Sequence, residues 1–224
     1  MTAYKPSQRD TYHHGDLRNA LLKRAAEVIE EHGIEALTLR GLARDLGVSH
    51  GAPNRHFKTR AHLLSALAED GYSGLTHATL SAADAAGPDP WIRLNAMGRG
   101  FLHWVFDNRA SFRAICHPDV SRYADDALRA AIRRFREAIR DAVADAQRAG
   151  RHPEARLDLL TLYTKAVPFG AAMMLFDGLF EDHRNTTDRD ALIEELIELV
   201  VPIRDRVAAT GPRLATTLVG GATN

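Results

Sequence analysis

The stretch LGVSHGAPNRHF, residues 46–57, sets Gly51, Pro53, Asn54 and Arg55 between two histidines, directly after a well-patterned apolar segment. Its side chains offer hydrogen-bond donors. The groups expected to point outward are His50, Asn54 and Arg55, with His56 and Lys58 close behind, and such donors suit phosphate oxygens and base edges. Catalysis is the rival chemistry. His50, His56 and His62 are six residues apart, which places them on different helix faces, and neither Glu-x-x-His nor His-Glu-x-x-His occurs in the chain. YADD at 123–126 carries two carboxylates, but no second acidic cluster follows at a metal-site spacing. No glycine-rich phosphate loop follows a strand. The expectation is a non-enzyme with no catalytic residue, no metal site and no cofactor.

Placing those donors requires a short helix, a tight turn and a second short helix. Thr38 can cap the first, with Leu39, Leu42, Ala43 and Leu46 on its inner face, and Gly47 supplies the positive φ of a tight turn. Ser49 can cap the second, where Pro53 falls within or just past the first turn and loses little by lacking an N–H. Val48, Ala52 and Phe57 join the apolar set inside. Gly51 and Ala52 are small enough for a close approach to a neighbouring backbone. This is the patterning of a helix-turn-helix. A helical hairpin with a polar surface, or a module that binds protein through it, would show the same local pattern.

The rest of the chain repeats the helical period. Asp16 can open a helix through Leu17, Leu21, Val28 and Ile29, stopped by Gly33, and Thr59 caps a longer one through Leu63, Leu64, Leu67 and Leu75. The clearest break is SAADAAGPDP, 81–90. After it Asp89-Pro90 reads as N-cap and first-turn proline of a helix through Trp91, Leu94, Met97, Phe101, Leu102 and Val105. A short segment, Ser111–Cys116, is stopped by Pro118, and a long charged helix over 121–149 ends at Gly150. Helices near 153–180, kinked by Pro168, and 188–208 complete an all-α chain of about nine helices, with a polar tail after Gly211. Domain boundaries are expected at 1–62, 63–211 and 212–224.

Bulk composition agrees with a soluble globular protein: 224 residues, 45% hydrophobic and 26% charged, with 29 residues of each sign. Residues 1–60 nonetheless carry ten Lys/Arg against seven Asp/Glu, and the remainder 19 against 22. A mildly basic N-terminal end on an acidic body suits a polyanionic partner. The longest apolar run, AVPFGAAMMLF at 166–176, is too short and interrupted to span a bilayer, so no membrane partner is expected. The N-terminus lacks the apolar core of a secretory signal, and the single cysteine, Cys116, suits a reducing cytoplasm.

Residues 12–67, YHHGDLRNALLKRAAEVIEEHGIEALTLRGLARDLGVSHGAPNRHFKTRAHLLSAL, resemble the DNA-binding domain of the TetR family of transcriptional regulators. The likeness rests on the first helix ending in EHG, the LTLRGLARDLGVS segment, and HF followed by TRAHLL. The opening YHHGDLRNALL and the GVSHGAP turn are most similar to the subgroup whose C-terminal domain is called WHG. The resemblance implies a homodimer that places two recognition helices in successive major grooves of a palindromic double-stranded operator. A small-molecule effector bound in the C-terminal domain then changes their separation, usually releasing a repressor. It further implies that Thr38 contacts phosphate, that Ser49, His50, Gly51, Asn54 and Arg55 lie on or beside the groove-facing side, and that His56 meets phosphate. Arg60 stands where the family usually has lysine, and Arg40 and Lys58 complete the implied DNA-contacting set. Most relatives have tyrosine where this chain has Asn54. Asparagine cannot stack but can pair with adenine through two hydrogen bonds, which implies an altered operator preference.

In the C-terminal half Met97, Phe101, Trp104, Phe112, Phe169, Met173 and Phe176 lie on three helices able to surround a cavity, with His103 and Lys165 as polar handles. That mixture suits a largely apolar ligand, and an ordinary core would use most of the same residues. The helices near 153–180 and 188–208 have the length and apolar stripes of a four-helix dimer bundle, where Ala166, Gly170 and Ala171 allow close approach. Arg133, Arg134, Arg136 and Arg140 are expected on a solvated face with Asp125–Arg129 and Arg133–Glu137 pairs.

Overall fold

A computed structural model describes residues 17–176 and 188–201 (Ser121 by its backbone alone). The first described element is α1 (Leu17–His32), which buries Leu21, Leu22, Ala25, Val28 and Ile29 along one stripe. Gly33 ends it as expected, its N–H returning to Ile29 O at 3.0 Å. A 3₁₀ turn, Ile34–Ala36, leads to Thr38, whose Oγ1 accepts the Gly41 N–H at 3.0 Å and opens α2 (Leu39–Asp45). Gly47, at φ +66°, closes α2 with a paired C-terminal motif: Gly47 N–H to Arg44 O at 3.1 Å and Val48 N–H to Ala43 O at 2.9 Å. The cap at Asp16 and the tail after Gly211 lie outside the described residues.

Thr59 caps α3 (Arg60–Ala85) through His62 N–H at 3.3 Å, and Asp89 Oδ1 caps α4 (Pro90–Asp107) through Trp91 N–H at 2.7 Å. The break expected over 81–90 is shorter, because the alanine-rich end of α3 keeps its helix to Ala85 and only Gly87, at φ +88°, turns the chain. Pro118 does not simply stop α5 (Arg109–Cys116); it starts α6 (Pro118–Arg122), since a proline at the first helical position loses no helical hydrogen bond. Asp125 then caps a separate α7 (Asp126–Arg148) through Leu128 N–H at 2.9 Å, so the long helix expected from 121 begins five residues later. On α7, Arg129 pairs with Asp126 at 3.0 Å rather than with Asp125, and Arg133 and Glu137 form no ion pair among the described residues. α8 (Leu157–Phe176) starts after a turn in which His152 adopts φ +47°, and it continues through Pro168. Asp188 caps α9 (Arg189–Val200) through Asp190 N–H at 3.1 Å. Nine α-helices and no strand occur among the described residues, which makes the fold all-α.

Two compact units emerge. Of the described residues, one comprises those up to Ser73 with Asn108–Ile132; the other comprises Gly74–Asp107 with those from Arg133 onward. The first has a continuous apolar core from α1, α2, Phe57 and the start of α3, completed by Ala110, Ala114, Val120, Ala124 and Leu128. In the second, α4 lies against α8 and α9. Close approach is obligatory there: a Cβ on Gly98 would sit 2.9 Å from Ile197 Cδ1, and one on Gly100 would sit 2.9 Å from Ala78 O. Buried Arg151 donates to Val200 O at 2.8 Å and to Thr164 Oγ1 at 3.4 Å, while Asn95 Nδ2 donates to Val201 O at 2.7 Å, so two side chains take up carbonyls at the end of α9.

Gly100→Ala tests this packing. Alanine favours an isolated helix, yet a methyl group facing a fixed carbonyl must push α3 and α4 apart. A loss of about 1–3 kcal/mol is expected in urea unfolding, the usual cost of overpacking.

Candidate nucleic-acid interface

The segment after Gly47 begins with a structural difference from its sequence reading. Residues 49–57 form successive tight turns, Ala52 N–H to Ser49 O at 2.9 Å and Arg55 N–H to Ala52 O at 3.2 Å, around a 3₁₀ helix at Pro53–Arg55. An α-helix capped at Ser49 would need an N–H at position 53 to reach the Ser49 carbonyl. Proline has none, and its ring occupies the space that carbonyl would take. Ser49 therefore contributes its backbone carbonyl, not a side-chain cap. Beside Gly51 nothing of the chain lies within 4 Å of a Cβ position, so the small residue opens space and does not serve internal packing.

Pro53 and Phe57 are buried, and Arg18 sits over the Phe57 ring at 5.8 Å. With these anchors inside, Ser49, His50, Gly51, Asn54, Arg55, His56 and Lys58 are all exposed. Thr38, Arg40 and His50 line one concavity of about 520 Å³ at the α1–α2 surface. Arg60 is placed differently. Its Nη2 donates to Ile34 O at 2.7 Å and lies 3.4 Å from Glu35, while its buried Nε has no partner among the described residues. Glu35 in turn approaches His117 Nε2 at 3.6 Å, and His117 Nδ1 accepts the Asp119 N–H at 3.2 Å. Arg60 thus braces the α1–α2 connection.

Sequence reasoning missed the ionic clamp behind this surface. Arg24 on α1 contacts Glu27 at 2.9 Å, Asp45 at the end of α2 at 3.2 Å, and Glu31 at 3.5 Å. These partners raise the Arg24 guanidinium above its ordinary range, Glu27 most. Hydrogen bonding from Arg24, then from Arg44, holds the Asp45 carboxyl below the usual carboxylate range. The Arg24–Glu27 spacing is visible in sequence; the 21-residue leap to Asp45 has no local signature.

The expected ligand residues are dispersed. Met97 and Phe176 are buried in the second unit, where Phe106, unnoticed in sequence, meets Phe176 edge to face at 5.6 Å. Trp104 crosses Gly74, while Phe101 and Met173 are half-buried. His103 Nδ1 lies 3.7 Å from Asp190. Phe169 is exposed, and Lys165 is half-buried, its pKa pushed down by burial and by the charge of Arg136. Phe112 is buried in the first unit. No group of three His, Cys, Asp or Glu side chains able to hold a metal occurs among the described residues.

Two family models match the chain, one in each half of the sequence. Residues 21–67 match the family described as bacterial regulatory proteins, tetR family, and residues 94–200 match Tetracyclin repressor-like, C-terminal domain. The chain is 30% identical over 117 residues to an HTH-type transcriptional regulator of Mycobacterium tuberculosis, covering 49% of this chain and 50% of the relative. It is 46% identical over 52 residues to the tetracycline repressor protein class C of Escherichia coli, covering 23% of this chain and 24% of that one. The chain thus spans about half or less of the length of these curated relatives. Among solved structures, a protein of unknown function from Rhodococcus sp. RHA1 superposes with a TM-score of 0.69 at 28% identity, over 86% of this chain and 97% of the other.

The clamp carries a pH prediction. Because Asp45 titrates lower when folded than its ordinary value of about 3.9, its pairing adds stability above that value and loses it as the pH falls through the depressed one. Asp45→Asn should lower the urea midpoint at pH 7 and narrow its difference from wild type at pH 3.

Proposed function

The chain belongs to the TetR family, and from that premise we propose that it is a ligand-responsive transcriptional repressor. Two copies bind a palindromic double-stranded DNA operator and leave it when a small, largely apolar effector binds. The observation that carries this reading is the exposed row Ser49, His50, Gly51, Asn54, Arg55 and His56 on turns anchored by buried Pro53 and Phe57. Thr38, Arg40 and Lys58 stand ready for phosphate. Arg60 contributes through guanidinium N–H groups that Ile34 and Glu35 leave over.

In this proposal residues 1–62 carry the DNA-reading part and 63–211 the part that binds effector and partner. The DNA-reading half is kept with the subgroup bearing a WHG-type C-terminal domain. Within the second unit Met97, Phe101, His103, Trp104, Lys165, Phe169, Met173 and Phe176 contribute to the effector site, with aromatic and methionine surface for an apolar body. The site of action is the cytoplasm.

The dimer forms through α8 and α9. Supporting it, α8 exposes Leu159, Leu162, Tyr163, Phe169 and Met174, and α9 exposes Leu199, a stripe that water would leave costly to maintain. By length and composition α8 could also cross a membrane. A second copy suits the stripe better, because α8 buries Leu160, Thr164, Ala172 and Phe176 on its other side.

Footprinting of purified protein on the DNA upstream of its own gene should reveal a protected palindrome; none would overturn the reading. On that site, Asn54→Ala should cost affinity only where an adenine is read, about 1–3 kcal/mol at that base pair. Equal losses on every operator variant would remove Asn54 from base reading. Leu162→Glu should shift the protein toward monomer in sedimentation equilibrium.

A further inference from the structure

The concavity on the first unit holds more positive charge than the DNA-contacting set accounts for. Beside Thr38, Arg40 and His50, its lining includes Arg24, His32 and Arg44, over an apolar floor of Val28, Ala36 and Leu42. The three arginines are not equivalent. Arg24 is saturated by Glu27, Asp45 and Glu31 and serves as a wall. Arg40 is exposed and makes no ion pair among the described residues. Arg44, one turn further along the same short helix and about 6 Å away along its axis, has a side chain 79% exposed. Its only partner is Asp45 Oδ1, at 3.3 Å from Nη2 and 3.4 Å from Nε, so its Nη1 donors are unused among the described residues.

Asp45 would ordinarily repel a phosphate at this place. Its second oxygen, however, is occupied by Arg24, which keeps the carboxylate paired and leaves the Arg40 and Arg44 side chains exposed beside it. An exposed Arg44–Asp45 contact is worth little, so Arg44 can turn toward an external anion at small cost.

We propose that Arg44 is a second backbone anchor: it binds a DNA phosphate neighbouring the one held at Thr38 and Arg40, and Arg24 is the positioning residue that keeps Asp45 from opposing it. This rests on the DNA-binding reading above. The contact carries no sequence information and raises affinity for any duplex.

The test is fluorescence anisotropy on the footprinted duplex and on an unrelated one, over a series of salt concentrations. Arg44→Gln should weaken both complexes several-fold and reduce the slope of log affinity against log salt by about 0.9 per bound subunit. Arg44→Lys should keep the slope, and both variants should melt as the wild type does. An unchanged slope in Arg44→Gln overturns the proposal, as does a loss confined to the footprinted duplex. Wild-type protein that binds neither duplex would instead sink the DNA reading itself.

Discussion

The interface depends on burying Pro53 and Phe57. A nine-residue stretch of 3₁₀ turns containing glycine and proline has no stability of its own, because nucleating a helical turn fixes several dihedrals for one hydrogen bond. Held at two points in the core, the same stretch can close its turns with backbone groups and leave seven consecutive or near-consecutive positions exposed to solvent. The anchoring core is broad. It draws on α1, α2 and α3 and on residues 110–128, far along the chain, so the presentation of His50 or Asn54 is a property of the whole unit.

Charge is arranged around that core with a similar division of labour. Arg24 and Asp45 join α1 to the end of α2, and Arg60, Glu35 and His117 join the α1–α2 connection to the start of α3 and the α5–α6 corner. These are partly exposed contacts, individually modest, and their value lies in fixing where helices end. Arg40, Arg55 and Lys58 are exposed and make no ion pair among the described residues.

The second unit is held by fit. Gly98 and Gly100 admit neighbouring helices to distances that any side chain would forbid, and Arg151 closes the end of α9 from within. A buried guanidinium is expensive to leave without partners, and burial lowers its proton affinity, so hydrogen bonds to Val200 and Thr164 are what make its position tolerable. Along α8 the same sequence that packs inward leaves Leu159, Leu162 and Tyr163 outside, which is the unfinished side of this unit.

Much of the chain could be read without coordinates because its signals are local. Thr38, Thr59 and Asp89 cap the helices expected of them, and Gly47 closes α2, since each of these bonds spans only a few residues. The outward set from Ser49 to Lys58 was legible for the same reason: apolar spacing decides which side is inside. Even the 3₁₀ form of residues 53–55 was implicit in Pro53, whose missing N–H bars an α-helix from Ser49. Tertiary structure alone decided that residues 108–132 complete the first unit, that Asp45 meets Arg24, that Arg60 turns to Ile34 and Glu35, and that Arg151 is buried. Those contacts join residues 21 to 49 positions apart or more, and their formation depends on how the helices pack, which no local pattern of side chains encodes.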